Sequence, residues 1–198
     1  MPKTAVAEAA SAARERILAA AERRFATFGY RRTGIAEIAR EAGVSAGTIY
    51  RYFESKEDVF RAVVRELHEA WLARARRALA GPGTAVERLG RLAQASVAFN
   101  RENSLINSVF RRDEEIVFAP LVDELHEQLV TKNVAMMADV IRDGIRDGTL
   151  RDVDPQCAAF ILFVGGDALN QVHNQRYYPY ETVLPLYADI TMQGLLPR

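Results

Sequence analysis

The segment Ile35–Phe53, IAEIAREAGVSAGTIYRYF, contains two short helical patterns separated by a glycine. In the first, four apolar residues follow the spacing of one helix face: Ile35, Ile38, Ala39 and Ala42. Gly43 can adopt the backbone of a sharp turn, and Ser45 can cap a second helix at about residues 46–52. Because polar side chains surround this second helix, the segment predicts a helix-turn-helix, whose second helix enters the major groove of DNA.

The sequence on both sides of this segment is also helical in pattern, and no convincing alternating strand is found. Gly29 is placed to end the first helix, and Thr33 to cap the second. The strongest break in the chain is Gly81-Pro82-Gly83. An all-α fold is therefore predicted, with helices at about residues 12–28, 33–42, 46–52, 55–80, 84–101, 105–112, 118–147, 154–172 and 181–196.

Composition and charge narrow the function classes. The longest apolar run has eight residues, too few to span a bilayer, and the single cysteine excludes an internal disulfide framework. A cytoplasmic protein without a membrane partner is expected. The chain is neutral overall, but residues 1–56 contain ten basic and six acidic side chains, a net charge of +4. This asymmetry favours an anionic partner at the N-terminal end, although a chance fluctuation on a solvated surface would give the same count.

The second helix of the motif has the groups that DNA contact requires. Gly47 would allow close approach of the backbone to a phosphate or base. Four neighbours supply hydroxyl or guanidinium donors: Thr48, Tyr50, Arg51 and Tyr52. An alternative for Tyr50 is that it only covers the small three-helix core.

These residues resemble a known family. The matching positions are Phe28-Gly29-Tyr30, Thr33, Ile35-Ala36-Glu37-Ile38-Ala39, Ala42-Gly43-Val44-Ser45, Gly47-Thr48-Ile49-Tyr50, Tyr52-Phe53 and Ser55-Lys56-Glu57. Together they resemble the N-terminal signature of TetR/AcrR-type transcriptional regulators over about residues 13–65. The resemblance implies about nine helices, three of them for DNA, followed by a helical body for ligand binding and dimerisation. It also implies repression that a small molecule relieves.

The resemblance assigns individual DNA contacts. Thr33 and Lys56 match phosphate-contacting positions at the starts of the second and fourth helices. Ala46 departs from relatives that have a longer polar side chain there, which removes one contact. The role of Arg51 is the least defined. The predicted DNA-binding residues are Thr33, Gly34, Ser45, Ala46, Gly47, Thr48, Tyr50, Arg51, Tyr52 and Lys56.

Three regions are predicted along the chain. Residues 1–12 are Ala-rich, helical or frayed, and expected to be mobile. Residues 13–58 form the helix-turn-helix domain, with the motif at about 34–53. Residues 59–198 form the ligand-binding and dimerisation domain.

A homodimer on a palindromic operator is expected, because one recognition helix reads too few base pairs to select a site. The helix at about 155–174 and the final helix are apolar on several faces, so they are predicted to form the interface. Gly165 and Gly166 would let backbones cross closely there, although close packing inside one monomer is the alternative. The predicted interface residues are Phe160, Val164, Gly165, Gly166, Leu169, Leu186 and Ile190.

A small, mostly apolar effector is expected to bind in the body and to act through the fourth helix. The predicted lining residues are Val64, Leu67, Trp71, Phe99, Phe110, Met137 and Phe163, oriented by Asn103, Asn107 or Asn170. Ordinary core packing would explain each of them. No cofactor or metal is expected, since the charged residues around His126 are more typical of a solvated helix face. Cys157 is expected to be a small buried residue.

Three functions compete at this stage. The first is a ligand-released repressor, and the second is a DNA-binding regulator switched by a protein partner or without a small ligand. The third is a helical enzyme or carrier. It is disfavoured, because the sequence has no Gly-rich phosphate loop, metal-ligand pair or Gly-x-Ser-x-Gly motif.

Overall fold

The computed structural model describes residues 3–110, 119–170 and 176–197, with side chains over 10–109, 127–170 and 176–197. This part of the chain is all-α and contains no strand. Its helices are α1 (Lys3–Arg32), α2 (Ile35–Ala42), α3 (Ala46–Tyr50), α4 (Lys56–Ala80), α5 (Ala85–Glu102), α6 (Ser104–Phe110), α7 (Ala119–Arg146), α8 (Pro155–Asn170) and α9 (Tyr180–Gln193). The helix ends predicted at residues 112, 118 and 172 lie outside the described residues, as do the side chains of Phe110 and His126.

The first helix begins earlier than predicted and is interrupted where predicted. Lys3–Ala12 is helical, so the segment expected to be mobile continues α1; its mobility remains a prediction. Gly29 has φ 78° and ψ 163°, a conformation open mainly to glycine, and it breaks the helix one turn before Arg32.

The turn between α2 and α3 has the geometry that its sequence predicts. Gly43 lies in the left-handed region with φ 66°, and its N–H donates to the Arg40 carbonyl at 3.3 Å. The N–H of Val44 donates to the Ala39 carbonyl at 3.0 Å, so the last carbonyls of α2 are satisfied. Val44 packs against the core, and Ser45 caps α3.

The helix α4 connects the N-terminal helices to the body. Its 25 residues span roughly 37 Å at 1.5 Å per residue. It contacts α1 near its start, and α5 and α7 along its length. The helix α8 packs on α7, and α9 packs on α5 and α8. A cavity therefore lies among α4, α5, α7, α8 and α9.

Candidate nucleic-acid interface and ligand cavity

The exposed surface of α3 and its C-terminal turn is polar and accessible. Tyr50 is 56% exposed, and Ala46, Gly47 and Arg51 are exposed as well. A Cβ built on Gly47 would meet only the Ser45 Oγ, at 3.8 Å. Packing within the chain thus leaves room for a side chain at Gly47, and a requirement for glycine there would come from a partner that approaches the helix.

The hydroxyl groups at the start of α3 are held in place by one another. The Ser45 Oγ accepts a hydrogen bond from the Thr48 N–H at 3.1 Å and lies 2.9 Å from the Thr48 Oγ1. Tyr52 packs against the core, and the Arg51 guanidinium lies 5.8 Å from the centre of the Tyr52 ring. Tyr50 and Arg51 are consequently the long polar side chains of this segment that extend into solvent.

Two predicted roles before α2 need correction. Thr33 is only 1% exposed, and its hydroxyl donates to the Gly29 carbonyl at 2.9 Å. It therefore closes the break in α1, and it neither caps α2 nor presents its hydroxyl to a phosphate. Gly34 is the N-cap of α2, and its N–H donates to the Glu37 carboxylate at 2.7 Å. This N–H is thus also engaged within the chain.

The first turn of α4 is fastened to the end of α1 through Tyr30. The Lys56 ammonium donates to the Tyr30 carbonyl at 3.0 Å and lies 4.1 Å from the centre of its ring. The Tyr30 hydroxyl donates to the Glu57 carboxylate at 2.6 Å. The rings of Phe25 and Phe60 pack edge-on against each other, and Phe60 packs likewise against Tyr30. We call these five residues the Tyr30 joint.

The electrostatics of the Tyr30 joint agree with this geometry. The hydrogen bond from Tyr30 stabilises the ionised Glu57 and lowers the pKa of its carboxyl group. Burial, followed by the hydrogen bond to Glu57, raises the pKa of the Tyr30 hydroxyl. Lys56 retains further N–H donors beyond the one used on the Tyr30 carbonyl, because an ammonium has three. Its predicted phosphate contact therefore stays compatible with its place in the joint.

The body contains a mostly apolar cavity of about 120 Å³. Its apolar walls come from Trp71, Leu89, Leu92, Ala93, Met137, Leu162, Phe163, Gly166, Leu184, Ala188 and Met192. Its polar wall groups belong to Ser96, Asn100, Asn133, Asp167, Asn170, Tyr180 and Tyr187. Four of the predicted lining residues are in this set: Trp71, Met137, Phe163 and Asn170.

The other predicted lining residues lie elsewhere. Val64, Leu67 and Phe99 are core residues outside the cavity wall. Asn103 caps the end of α5, where its side-chain NH₂ donates to the Phe99 carbonyl at 2.9 Å. Asn107 accepts a hydrogen bond from the Asn170 amide at 3.5 Å, behind the wall. The side chain of Phe110 lies outside those that the structure describes.

One wall of the cavity contains a hydrogen-bonded chain between α4 and α7. The Trp71 indole N–H donates to the Asn133 Oδ1 at 2.7 Å. The NH₂ of Asn133 donates to the Leu129 carbonyl at 2.8 Å and lies 3.1 Å from the His68 Nε2. Since Asn133 faces His68 with a donor, this ring nitrogen is an acceptor and His68 is neutral. Burial lowers the pKa of His68 to about 4, which agrees with a neutral ring.

The helix α5 supplies the polar residues that sequence reasoning missed. Leu89, Leu92, Ala93, Ser96 and Asn100 follow helical spacing along one side of α5 and line the cavity. The Ser96 hydroxyl lies 3.5 Å from that of Tyr180, whose pKa burial raises to about 12. The spacing was visible in the sequence, but an apolar side with one serine and one asparagine is equally typical of core packing.

An exposed apolar surface covers α8 and α9. Its members are 39–63% exposed: Phe160, Ile161, Val164, Leu186 and Ile190. Ile161 and Ile190 line one groove together with Cys157, which is exposed and not buried as expected. We call these five apolar residues the α8–α9 patch. Four of these five residues were predicted to form the dimer interface, and Ile161 was not among the predicted residues.

The two glycines of α8 serve packing inside the chain. A Cβ on Gly165 would overlap the Tyr187 ring, whose hydroxyl donates to the Ile161 carbonyl at 2.8 Å. Gly166 is buried against Leu184. The expectation that these glycines allow a close crossing between two subunits is thus corrected, because α9 of the same chain occupies that space. Leu169 is half-buried.

The described residues show neither a metal cluster nor a membrane-spanning helix. They contain no group of three His, Cys, Asp or Glu side chains arranged to hold a metal ion. Within the same ranges, every helix is too short or too polar to cross a membrane.

Comparison with known proteins places this architecture in a family. Residues 17–63, from α1 into α4, match the model of bacterial regulatory proteins of the tetR family. The HTH-type transcriptional regulator RutR of Escherichia coli K12 is 32% identical over 161 residues, covering 78% of this chain and 72% of RutR. The chain belongs to the TetR family and is a DNA-binding transcriptional regulator of the helix-turn-helix type.

Solved structures share the whole fold. The regulator FadR from Bacillus subtilis, in complex with stearoyl-CoA, has a TM-score of 0.74 at 22% identity, covering 91% of this chain and 98% of FadR. A transcriptional regulator from Saccharomonospora viridis, in complex with choline, has a TM-score of 0.73 at 25% identity. The match covers 95% of this chain and 100% of the Saccharomonospora viridis chain.

Proposed function

We propose that this protein is a repressor that binds a palindromic operator as a homodimer and releases it when a small ligand occupies the cavity. One observation carries the proposal: a single uninterrupted helix, α4, is fastened at the Tyr30 joint to the helix-turn-helix region, which we call the DNA module, and contributes Trp71 to the cavity wall. A ligand that displaces Trp71 would therefore move the DNA module.

The DNA module is proposed to be residues 13–58, and the ligand and dimer body residues 59–198. Contacts with DNA are assigned first to the exposed or half-exposed residues on and beside α3: Ser45, Ala46, Gly47, Thr48, Tyr50, Arg51 and Tyr52. Lys56 is assigned to a phosphate through its remaining N–H donors. Thr33 and Gly34 are proposed to support this surface from inside the chain.

The α8–α9 patch is proposed to be the dimer interface. Contiguous exposed apolar surface of this kind marks a contact site, and a symmetric dimer would bury it isologously. Ile190→Glu should give a monomer at micromolar concentration in analytical ultracentrifugation. Ala135→Glu, which places the same charge on an exposed position of α7, should leave the dimer intact. A dimer that survives Ile190→Glu and Phe160→Glu would place the interface elsewhere.

Release is proposed to work through the spacing of the two recognition helices. In a dimer these helices must enter successive major grooves about 34 Å apart. A tilt of α4 in each subunit changes that separation. The ligand must bind the DNA-incompetent spacing more tightly, since equal affinity for both states would shift nothing. Stearoyl-CoA and choline in the two similar structures support the view that this fold accommodates small ligands.

The DNA part of the proposal is tested at Gly47. Gly47→Ala should lower operator affinity at least tenfold, because the new methyl group lies where DNA approaches. Folding stability should stay equal or rise, since the methyl has space in the free protein and alanine favours helices by up to about 1 kcal/mol. Tyr50→Ala should also weaken binding without unfolding the chain.

Salt provides a second measurement of the same interface. The logarithm of the wild-type affinity should fall with the logarithm of salt concentration by about 0.9 for each phosphate neutralised. Lys56→Ala should reduce this slope. A flat salt dependence, or wild-type affinity in the Gly47→Ala variant, would contradict the proposed interface.

The ligand part is tested by filling the cavity. Small apolar compounds are screened for release of wild-type protein from its operator, and each active compound is then tested on Phe163→Trp and Met137→Trp. The bulky side chains should abolish release or mimic it by lowering operator affinity. If no compound releases the wild type and both variants bind DNA normally, a switch by a protein partner replaces the proposed ligand.

A further inference from the structure

Two buried asparagines in the cavity wall differ in how their amides are satisfied. Asn133 uses its oxygen on Trp71 and its NH₂ on Leu129 and His68. Asn100 is 8% exposed and lines the cavity, and none of the hydrogen bonds between described residues involves its side-chain amide. Its amide atoms are not among the fully enclosed polar atoms that lack a partner, so they face the space of the cavity. An amide that faces the cavity without a partner among the described residues is available to a molecule that enters the cavity.

The position of Asn100 defines a polar end of the cavity. It lies in the last turn of α5, one turn beyond Ser96, and next to Phe99, whose ring centre is 5.5 Å from that of Trp71. Leu89 and Leu92 line the opposite end of the same helix side. Because α4 and α5 run antiparallel, with Arg74 paired to Glu102, the polar end is the one nearer the DNA module.

The charges of the wall restrict the ligand further. None of the described lining residues is Lys, Arg or His, and Asp167 is their one carboxylate. An anionic ligand would therefore find no cation to pair with among the described lining residues. An ammonium group would satisfy the Asn100 oxygen and leave its NH₂ without an acceptor. A group that satisfies both halves of the amide presents a donor and an acceptor side by side.

We infer that Asn100 is the polar anchor of the cavity and that the ligand is an uncharged molecule with an amide-like donor–acceptor pair and an apolar body. The pair binds the Asn100 side chain, and the apolar body extends along α5 towards Leu89. This inference rests on the proposed function, since it names the ligand class of the same cavity.

The first test needs no ligand. Asn100→Leu removes an unsatisfied amide at nearly constant volume, so it should raise the thermal unfolding midpoint of the free protein. Asn133→Leu, the matched control, should lower the midpoint because it leaves Trp71 and His68 without their partner. A lower midpoint for both Asn100→Leu and Asn100→Ala would show that Asn100 is satisfied in the free protein, and it would overturn the inference.

The second test uses hexanamide, hexanoate and hexylamine as probes of matched chain length, titrated calorimetrically into the full-length protein. Hexanamide should bind wild type at least tenfold more tightly than the other two, and Asn100→Leu should lose at least tenfold of that affinity. Equal or tighter binding of hexanoate or hexylamine, or full hexanamide affinity in Asn100→Leu, would overturn the inference.

Operator binding separates this inference from the proposed function. Hexanamide that binds through Asn100 and leaves operator affinity unchanged would support the anchor and contradict ligand-controlled release. Release by a screened compound that Asn100→Leu still binds at full affinity would support ligand control and overturn the anchor.

Discussion

The two halves of α4 are packed in different ways. At its start, Phe60 is fully buried and packs edge-on against both Phe25 and Tyr30, while Lys56 and Glu57 hold Tyr30 by its carbonyl and hydroxyl. Further along, Trp71 borders a cavity of about 120 Å³. Close packing transmits displacement, whereas empty space permits rearrangement. The comparison indicates a rigid attachment to the DNA module and an adaptable contact with the body.

The largest expected effect is on stability and comes from comparing two phenylalanines, Phe60 and Phe163, whose surroundings differ. Phe60→Ala should lower the free energy of unfolding by about 3–5 kcal/mol, because it opens a void in the closely packed Tyr30 joint. Phe163→Ala should cost about half as much or less, since Phe163 is half-buried and already borders empty space. Denaturant unfolding of the two variants measures the difference. Equal losses would mean that the residues around the cavity are packed as closely as the Tyr30 joint.

A smaller effect is expected from two tyrosine hydroxyls. Tyr30→Phe removes a hydrogen bond to a carboxylate and should cost about 1–2 kcal/mol of stability and weaken operator binding. Tyr180→Phe removes only a 3.5 Å contact with Ser96, and we expect a change below about 0.5 kcal/mol. Unfolding and operator titrations of both variants check this. Wild-type stability in the Tyr30→Phe variant would show that the Tyr30 hydroxyl does not stabilise the Tyr30 joint.

The two halves of α4 also differ in how their stability depends on pH. The pKa of folded His68 is about 4 and its ordinary value is 6.5, so the unfolded chain takes up the proton first. Stability should therefore fall as pH falls from about 6.5 to 4, and thermal unfolding of His68→Gln should lose this dependence.

The Tyr30 joint should respond at lower pH. The pKa of Glu57 is lowered in the folded protein, so its contribution is present above the ordinary value of 4.5 and is lost as the folded carboxylate is protonated. Tyr30→Phe should thus reduce the loss of stability below pH 4.5 and leave the pH dependence between 6.5 and 4.5 unchanged. If His68→Gln keeps the wild-type dependence of stability on pH above 4.5, His68 is not the group that causes it.

The sequence was most informative where structure is determined locally. The left-handed turn at Gly43, the cap at Ser45 and the break at Gly29 each depend on one residue's conformational freedom or one hydroxyl group. Thr33 shows where this reasoning fails, since its hydroxyl reaches the carbonyl of Gly29 across a break whose geometry the sequence does not specify. The local sequence does not distinguish a threonine that caps the following helix from a threonine whose hydroxyl donates to a carbonyl earlier in the chain.

The cavity was the least predictable part because five helices build it. Choosing Asn100 over Asn103 or Asn107 requires knowing where α5 ends and which helix covers each side. The Asn103 side chain caps the end of α5, and Asn107 lies behind Asn170 and accepts a hydrogen bond from it. The glycines of α8 were placed in the correct helix with the wrong partner, because periodicity cannot distinguish α9 of the same chain from a second subunit.

Trp71 is the one tryptophan of the chain. Its indole lies in the cavity wall on α4 and donates its N–H to Asn133. The intrinsic fluorescence of the protein, when excited selectively at the indole band, therefore comes from a single fluorophore at the point where ligand and α4 are proposed to meet. Emission wavelength and intensity report on this one hydrogen bond and its surroundings, so occupancy of the cavity can be followed in real time without a label.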